Sequence, residues 1–432
     1  MGPVKWPRLV LAFSGFILLG IGAGASGVLI PSQISDYHVD KVTIGLMFFS
    51  FSAGYLLAGL GNGALVSRLG VRAQLSLGMA TYVAACLGIG VRPPFALLIA
   101  LSLVSGAGCG IIDSGFNAYV STLPGRTALL NHLHAFFGVG ALIGPLVASK
   151  MLVAGFPWQD VYLVLAIIGA PLLIGCAILL PRRVPTPTDP ERGAPLARAL
   201  RRREVWFAAI FLCLYVGAEV SVGNWGFSFL TQERGQGALL AGSVVSVYWF
   251  GLTLGRFLIN TIASRAGIGV AAMMYGCLVG MGGAVLLAWW GPGSVLAILG
   301  FGLLGFFLGP VFPTTVAVMP RLTPARLVPS TIGFLVGMSV VGGAVFPYVA
   351  GALAQGIGIG SLMPYLLLLA LLQAGGWWLI ARRMRVGQSG GSGGGGAVVP
   401  VELGGAPVDG APSGGGPGRQ DWTNPVITDT AR

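Results

Sequence analysis

The sequence predicts an all-helical membrane protein with about twelve transmembrane helices. Charged residues make up only 9% of its 432 positions, against about 25% in soluble proteins, and apolar residues make up 55%. The apolar residues form continuous stretches of roughly twenty residues, long enough to cross the ~30 Å hydrocarbon layer. Continuous stretches predict helices rather than barrel strands, the only other structure that satisfies every backbone group in lipid.

Twelve predicted spans divide six and six around the longest internal loop. They cover residues 9–31, 42–66, 73–91, 95–122, 129–154, 160–181, 205–230, 239–263, 268–290, 293–320, 328–354 and 361–381. We therefore expect an N-terminal six-helix bundle at 1–181, a cytoplasmic linker at 182–204 and a C-terminal six-helix bundle at 205–386. The tail at 387–432 is rich in Gly and Pro, which predicts disorder.

Loop charge predicts the orientation of the spans. Eighteen Lys and Arg residues lie on the side of the two termini, and four lie on the other side. Because basic residues concentrate in cytoplasmic loops, this bias predicts two cytoplasmic termini and an even number of spans. The same bias explains the net charge of +12, because the basic residues lie in short loops at the surface of the lipid bilayer. We therefore expect no nucleic-acid partner.

The two halves carry a weak internal repeat. Ser67-Arg68-Leu69-Gly70 follows the second span, and Ser264-Arg265-Ala266-Gly267 follows the eighth, 197 residues later. Gly138 and Gly144 recur as Gly337 and Gly343, 199 residues later. Offsets in register with the spans predict two pseudo-symmetric bundles around a central cavity, as in transporters built from repeats.

The sequence offers no catalytic or metal-binding constellation. The five cysteines lie inside apolar spans without metal-ligand spacing, which also argues against a disulfide framework. No nucleophile and base occur together in a loop, so we expect neither an enzyme, a metal nor a cofactor. The basic start, residues 1–8, runs directly into the first span, and we interpret that span as an uncleaved helix.

Two of the thirteen acids lie well inside spans: Asp113 in the fourth and Glu219 in the seventh. Placing an ionisable group there costs at least ~2.5–3.5 kcal/mol. The functional interpretation is a proton or substrate site that faces the cavity, since a carboxyl group removed from water is easier to protonate. The alternative is a structural hydrogen bond between helices.

Four polar or aromatic residues near these acids are further candidates. Asn117 follows Asp113 by four residues and shares its helical face. His134 lies one turn into the fifth span, beside small residues that suit either a cavity wall or tight packing. Asn224 and Trp225 share a face with Glu219 only if the glycines of the seventh span break its helix. Without such a break, Trp225 is interpreted as an anchor at the interface between membrane and water.

Two prolines in the middle of the tenth span predict a kink. They lie in Gly309-Pro310-Val311-Phe312-Pro313-Thr314. Proline lacks a backbone N–H group and disrupts the helical hydrogen bonds around it.

Several segments resemble the major facilitator superfamily and, within it, the fucose:proton symporter family. The loop at 63–72 resembles the superfamily signature between helices 2 and 3. The segments that resemble the narrower family are 110–120, 136–146, 215–225, Gly255-Arg256-Phe257 and Phe312-Pro313-Thr314. This resemblance implies alternating access, with Arg68, Gly70, Arg72, Arg256 and Arg265 as gating or loop-signature residues.

The chain departs from the family pattern at two places. Ser67 stands where the superfamily loop carries Asp. Ser26-Gly27 replaces the Asn-Asp pair that precedes the helix-1 proline in fucose carriers. The family's helix-1 acid is therefore absent.

These features predict a secondary active transporter in the plasma membrane, which we expect to act as a monomer. The favoured mechanism is symport of a sugar or similar small polar solute with a proton. Two alternatives stay open: an exporter of drugs or apolar metabolites, and a non-transporting receptor or sensor.

Overall fold

The computed structural model describes residues 6–182 and 196–389, which are helical with no strand among them. The α-helices are α1 Trp6–Tyr37, α2 Lys41–Ile44, α3 Leu46–Gly90, α4 Phe95–Ser121, α5 Arg126–Val153, α6 Asp160–Leu179, α7 Leu196–Leu200, α8 Arg203–Ser228, α9 Ala238–Arg265, α10 Val270–Trp290, α11 Gly293–Leu308, α12 Val311–Leu322, α13 Val328–Ile357 and α14 Leu362–Ser389. Single turns follow α8 at Phe229–Glu233, precede α13 at Ala325–Leu327 and precede α14 at Ile359–Ser361.

Eleven of these helical stretches are long and apolar enough to cross a membrane. One of them contains α3, whose 45 residues would extend about 68 Å if straight, twice the hydrocarbon thickness. Helix α3 breaks at Gly70, where φ is 78° and ψ is 166°, a conformation that glycine adopts without steric cost. Because Gly70 lies between the predicted spans 42–66 and 73–91, α3 supplies two crossings, and the prediction of twelve is confirmed.

The predicted kink in the tenth crossing is confirmed. Helix α11 ends at Leu308 and α12 begins at Val311, so Gly309 and Pro310 separate them. By contrast, α8 is continuous from Arg203 to Ser228. The break that would bring Asn224 onto the face of Glu219 is therefore absent, and helical geometry is interrupted only beyond α8, at the π-turn Phe229–Glu233.

Small residues let α1 and α5 pack at backbone contact. A Cβ atom on Gly20 would overlap the Phe137 carbonyl oxygen, and one on Gly24 would overlap the Ala141 carbonyl oxygen. Gly140 and Gly144 meet α1 in the same way. Close approach through glycine is the usual basis of helix packing in membranes, where water provides no hydrophobic drive. The small residues that follow His134 thus serve helix packing.

The face of the molecule at which α1 begins is here called the basic face. Two arginines there join α1 and α3 to the end of α6. Arg8 Nε donates to the Leu179 carbonyl oxygen at 2.8 Å, and Arg72 Nε donates to the Leu180 carbonyl oxygen at 2.6 Å. Both guanidinium groups satisfy carbonyls at the end of α6, where the helix dipole favours positive charge.

The opposite face of the first half is held by Asp36 at the end of α1. Arg92 forms an ion pair with its carboxylate, and Trp158 Nε1 donates to Oδ2 at 2.9 Å. These contacts join the ends of α1 and α3 to the start of α6. Arg234 lies on the same face in the second half, and its Nη1 donates to the Trp289 carbonyl oxygen at the end of α10 at 2.9 Å.

The two halves meet along a pseudo-two-fold axis. Ser26 Oγ of α1 donates to Asn224 Oδ1 of α8 at 3.1 Å. These residues are 198 apart in the chain, the same spacing, within one residue, that relates the sequence repeats. Ser26 therefore contacts its own counterpart, which places this contact on the axis.

Paired contacts flank the axis. In the middle of the molecule, Gly138 of α5 packs against Thr253 of α9, and a Cβ atom on Gly337 of α13 would lie 3.9 Å from Leu56 of α3. Nearer the opposite face, Gly242 of α9 packs against Ser149 of α5, and Gly45 packs against Tyr348 of α13. In each pair, the residues of one contact are 197 and 199 residues from those of the other. The contacts therefore have the same offsets as the sequence repeat.

The predicted domain boundaries at 181 and 205 remain a proposal. Helix α7 forms inside the predicted linker, and α8 begins within its last residues. Helix α14 extends to Ser389, three residues into the predicted tail. The remaining residues of the linker and the tail lie outside the described ranges.

Candidate functional site

Asp113 lies on α4, half-buried, with both carboxylate oxygens hydrogen-bonded. Tyr55 Oη donates to Oδ2 at 2.5 Å, and Asn117 Nδ2 donates to Oδ1 at 3.1 Å. Asn117 also donates to the Asp113 backbone oxygen at 2.9 Å. The shared helical face predicted for Asp113 and Asn117 is therefore present as direct contact. Tyr55 comes from α3 and fixes the carboxyl group from a second helix.

His134 lies within electrostatic range of this carboxylate, at the boundary between the two halves. Its ring meets the edge of Phe16, with centroids 5.6 Å apart. The imidazole is exposed and interacts electrostatically with Asp113 of α4 and Arg256 of α9. His134 therefore interacts electrostatically with an acid of the first half and with a cation of the second.

Glu219 is half-buried on α8 and lies among tyrosines. Tyr215, one turn earlier on the same helix, has its hydroxyl group beside the Glu219 carboxyl. Tyr248 Oη of α9 donates to the Glu219 backbone oxygen at 3.0 Å. These contacts fix the backbone around Glu219 and leave its carboxylate partly accessible.

Arg256 on α9 is the cation nearest Glu219 in the site. Its guanidinium interacts electrostatically with Glu219, yet the described residues show no direct ion pair between the two. Arg256 Nε approaches the Gly309 carbonyl oxygen at 3.5 Å, beside the break between α11 and α12. The guanidinium therefore retains donors for a bound molecule.

Three of the ionisable groups lie at a similar depth. Asp113 is eight residues from the end of α4, His134 eight residues from the start of α5, and Arg256 nine residues from the end of α9. At 1.5 Å per residue they lie about 12–14 Å from the basic ends of their helices. Glu219 lies deeper, about 24 Å along α8. The site is thus an internal polar cluster shared by both halves.

Asn224 and Trp225 lie outside this cluster. Asn224 accepts the Ser26 hydrogen bond on the axis. Trp225 is fully buried, donates from Nε1 to the Pro347 carbonyl oxygen at 2.8 Å, and meets the Phe48 ring edge-on. In this conformation both residues hold the two halves together on the side of the molecule opposite the basic face. Their role as ligands stays a prediction.

The loop-signature residues have different surroundings. Arg68 and Arg265 are exposed at the basic face, Gly70 breaks α3, and Arg72 binds the end of α6. Ser67 Oγ donates to the Ala64 carbonyl oxygen at 2.9 Å within its own helix. Arg256 lies apart from the loops, inside the polar cluster.

The chain belongs to the major facilitator superfamily, whose family model matches residues 12–302. Family and fold together indicate a multi-pass membrane transporter rather than an enzyme.

Two similar sequences cover most of the chain. The yeast Saccharomyces cerevisiae protein called bypass of stop codon protein 6 is 24% identical over 83% of this chain and 79% of its own length. A glucose/galactose transporter of Brucella abortus is 27% identical over 81% of this chain and 89% of its own length.

Solved structures share the fold. A bacterial homologue of the human lysosomal transporter Spinster, in an inward-facing and unoccupied conformation, has a TM-score of 0.73 at 16% identity, covering 89% of this chain and 99% of that one. The Escherichia coli fucose:proton symporter, solved as a variant, has a TM-score of 0.60 at 17% identity, covering 86% and 98%. The predicted resemblance to that family is confirmed at the level of fold.

Sequence reasoning missed Arg256 as a member of the site, together with Tyr55, Tyr215 and Tyr248. Counting basic as well as acidic residues inside spans would have found Arg256. Tyr215 lies four residues before Glu219, so helical spacing also pointed to it. Tyr55 and Tyr248 carry no such signal, because each reaches its acid from another helix.

Gly27→Val tests the closed contact at the axis. A Cβ atom on Gly27 would overlap the Gly223 carbonyl oxygen, and overpacking of this kind costs roughly 1–3 kcal/mol. We expect a loss of the closed conformation and a roughly tenfold or larger fall in transport rate, measured in vesicles. Gly59→Val is the matched control, because a Cβ atom on Gly59 meets nothing within 4 Å. Wild-type transport by Gly27→Val would contradict this role.

Proposed function

We propose that the protein is a proton-coupled symporter of a sugar or similar small polar solute. The observation that carries this proposal is the internal cluster of Asp113, His134, Glu219 and Arg256, contributed by both halves. Four ionisable side chains at membrane depth are expensive, and such groups mark ion and substrate pathways. A carrier of apolar compounds has little use for so many charged and hydrogen-bonding groups, so the cluster favours symport of a polar solute over the exporter.

Asp113 is the proposed proton site. Tyr55 and Asn117 hold its carboxyl group from two directions, which preserves its position whether or not it carries a proton. His134 interacts with it electrostatically, and histidine is the side chain type whose unperturbed pKa lies closest to physiological pH. Because His134 also interacts with Arg256, a proton in the first half changes the electrostatic balance across the interface between the halves. Differential stabilisation of this kind is what couples an ion to alternating access.

Glu219 and Arg256 form the proposed solute site of the second half. The carboxylate accepts hydrogen bonds and the guanidinium donates them, and the described residues leave no ion pair between them. Adjacent hydroxyl groups of a sugar match this arrangement, since one donates to Glu219 while the next accepts from Arg256. The glucose/galactose and fucose carriers among the similar proteins support this substrate class.

The remaining expectations are part of the same proposal. The bias of basic loops supports two cytoplasmic termini, and we propose the plasma membrane as the location. Both halves of the site come from one chain, so a monomer suffices for transport. Proton, lipid bilayer and small polar solute are the proposed partners.

Uptake by vesicles that contain the purified full-length chain tests this proposal. The probes are labelled D-glucose, D-galactose and L-fucose, each with and without an imposed pH difference. We expect at least one sugar to accumulate under the pH gradient and to leak out when a protonophore removes it. Uptake of a sugar that ignores the gradient would overturn the coupling, and failure of all three sugars would overturn the substrate class.

A further inference from the structure

Seven arginines meet where α8 begins and α14 ends. This arginine cluster consists of Arg198, Arg201, Arg202, Arg203, Arg382, Arg383 and Arg385. Arg383 Nη1 lies 3.7 Å from Glu204 Oε1, and this contact holds the end of α14 beside the start of α8. Glu204 is the only acid among residues 196–206 and 381–385. The cluster therefore carries a large excess of positive charge.

Part of this charge has no anionic partner. Arg202 Nη1 donates to the Leu322 carbonyl oxygen at 3.5 Å, and Arg383 contacts Glu204. Within residues 196–389, the side chains of Arg198, Arg201 and Arg203 form no hydrogen bond or ion pair, and all three are exposed. In the first half, by contrast, Arg8 and Arg72 donate to helix-end carbonyls.

Tryptophans place the cluster at the boundary between water and lipid. The Arg382 guanidinium carbon lies 5.6 Å from the centroid of the Trp378 ring, which is 49% exposed. Trp206 is 40% exposed, and its Nε1 donates to the Leu200 carbonyl oxygen at 2.9 Å. Half-exposed tryptophans beside basic residues, near the ends of membrane-spanning segments, are typical of the aromatic belt, which sits at the level of lipid headgroups.

Apolar surface continues from the cluster along α14. Leu368, Leu371 and Leu372 are exposed, about two to three turns before Trp378. A ligand that lies here meets arginines at one end and exposed leucines at the other. This combination matches a molecule with an anionic head and long apolar chains.

We propose that the arginine cluster binds the phosphate group of an anionic phospholipid from the adjacent leaflet. Guanidinium groups bind phosphate through paired, charge-assisted hydrogen bonds. The acyl chains would lie along Trp378 and the exposed leucines of α14. Basic residues next to a membrane helix are attracted to anionic lipid, which supplies the energy of binding. The site lies on the outside of the second half and does not depend on the transported solute.

Lipid retention by the full-length chain tests this site. The protein is purified from nanodiscs that contain equal amounts of phosphatidylglycerol and phosphatidylcholine, and bound lipid is counted by native mass spectrometry. We expect selective retention of phosphatidylglycerol. The triple variant Arg201→Gln, Arg203→Gln, Arg382→Gln should weaken it about 100-fold, since each interfacial arginine contributes roughly fivefold. If the triple variant does not fold, Arg382→Gln alone should weaken retention about fivefold.

The control removes the same charge elsewhere on the basic face, through Arg68→Gln, Arg126→Gln and Arg265→Gln. These residues are exposed and lie in other loops, so retention should stay at the wild-type level. Equal loss in the control would show attraction by net charge alone and would overturn the site. Equal retention of both lipids would overturn it too. Displacement of phosphatidylglycerol by millimolar inorganic phosphate would assign the site to free phosphate instead of lipid.

Discussion

Asp113→Asn should abolish accumulation driven by a pH gradient. Asparagine keeps the shape of the side chain and one oxygen that accepts from Tyr55, but it cannot exchange a proton. A pH difference of about 1 unit supports roughly tenfold accumulation through one proton. The variant should therefore equilibrate its solute without concentrating it, as measured by uptake into vesicles with and without the gradient.

Two measurements make this prediction specific. Exchange of labelled for unlabelled sugar at equal pH needs no net proton movement, so Asp113→Asn should retain it. Asp160→Asn is the matched control, because Asp160 lies in the first turn of α6, at the opposite face, and should leave accumulation unchanged. Accumulation by Asp113→Asn at the wild-type level would transfer the coupling role to another group.

Arg256→Gln should raise KM for the transported sugar by roughly tenfold to a hundredfold. Hydrogen bonds to charged groups contribute about 1.5–3 kcal/mol each, and glutamine retains only a neutral donor. Glu219→Gln should raise KM by a similar amount, because the acceptor for the neighbouring hydroxyl loses its charge. Initial rates of D-galactose or D-glucose uptake over a range of concentrations measure both effects.

The double variant, Arg256→Gln with Glu219→Gln, separates binding from structural damage. If one diol bridges the two side chains, the combined loss should be smaller than the sum of the single losses in free energy. Arg321→Gln is the control, since this exposed arginine lies in the last turn of α12, away from the cluster. A KM unchanged by Arg256→Gln would exclude the guanidinium from the solute site while leaving proton coupling intact.

The sequence predicted the helices well because lipid imposes a simple rule on length and polarity. The observed bounds of α4, α5, α6 and α10 lie within a few residues of the predicted spans. The join at Gly70 was also visible, since a polar loop motif separates two apolar stretches there. The shared face of Asp113 and Asn117 followed from helical spacing alone, because both lie on one helix.

Contacts between helices could not be predicted in the same way. Trp225 was a candidate site residue because its neighbours in sequence are polar and small. In the structure it packs against Phe48 and donates to Pro347, two partners more than 100 residues away. Arg256 was grouped with loop residues because its motif resembles a family signature. Only the packing of α9 beside α8 and α5 brings it within electrostatic range of both Glu219 and His134.

The contact between Ser26 and Asn224 has a consequence for how the two halves diverge. An interface around a two-fold axis is isologous, so each surface meets a copy of itself. Away from the axis, a change in one half leaves its repeated contact intact, as Thr253 and Leu56 show with different partners for two equivalent glycines. A contact on the axis has no such repeated counterpart. Among the described residues, Ser26 provides the side-chain hydrogen bond of Asn224, so a substitution at position 26 changes the contact of position 224 directly, and we expect these two positions to depend on each other.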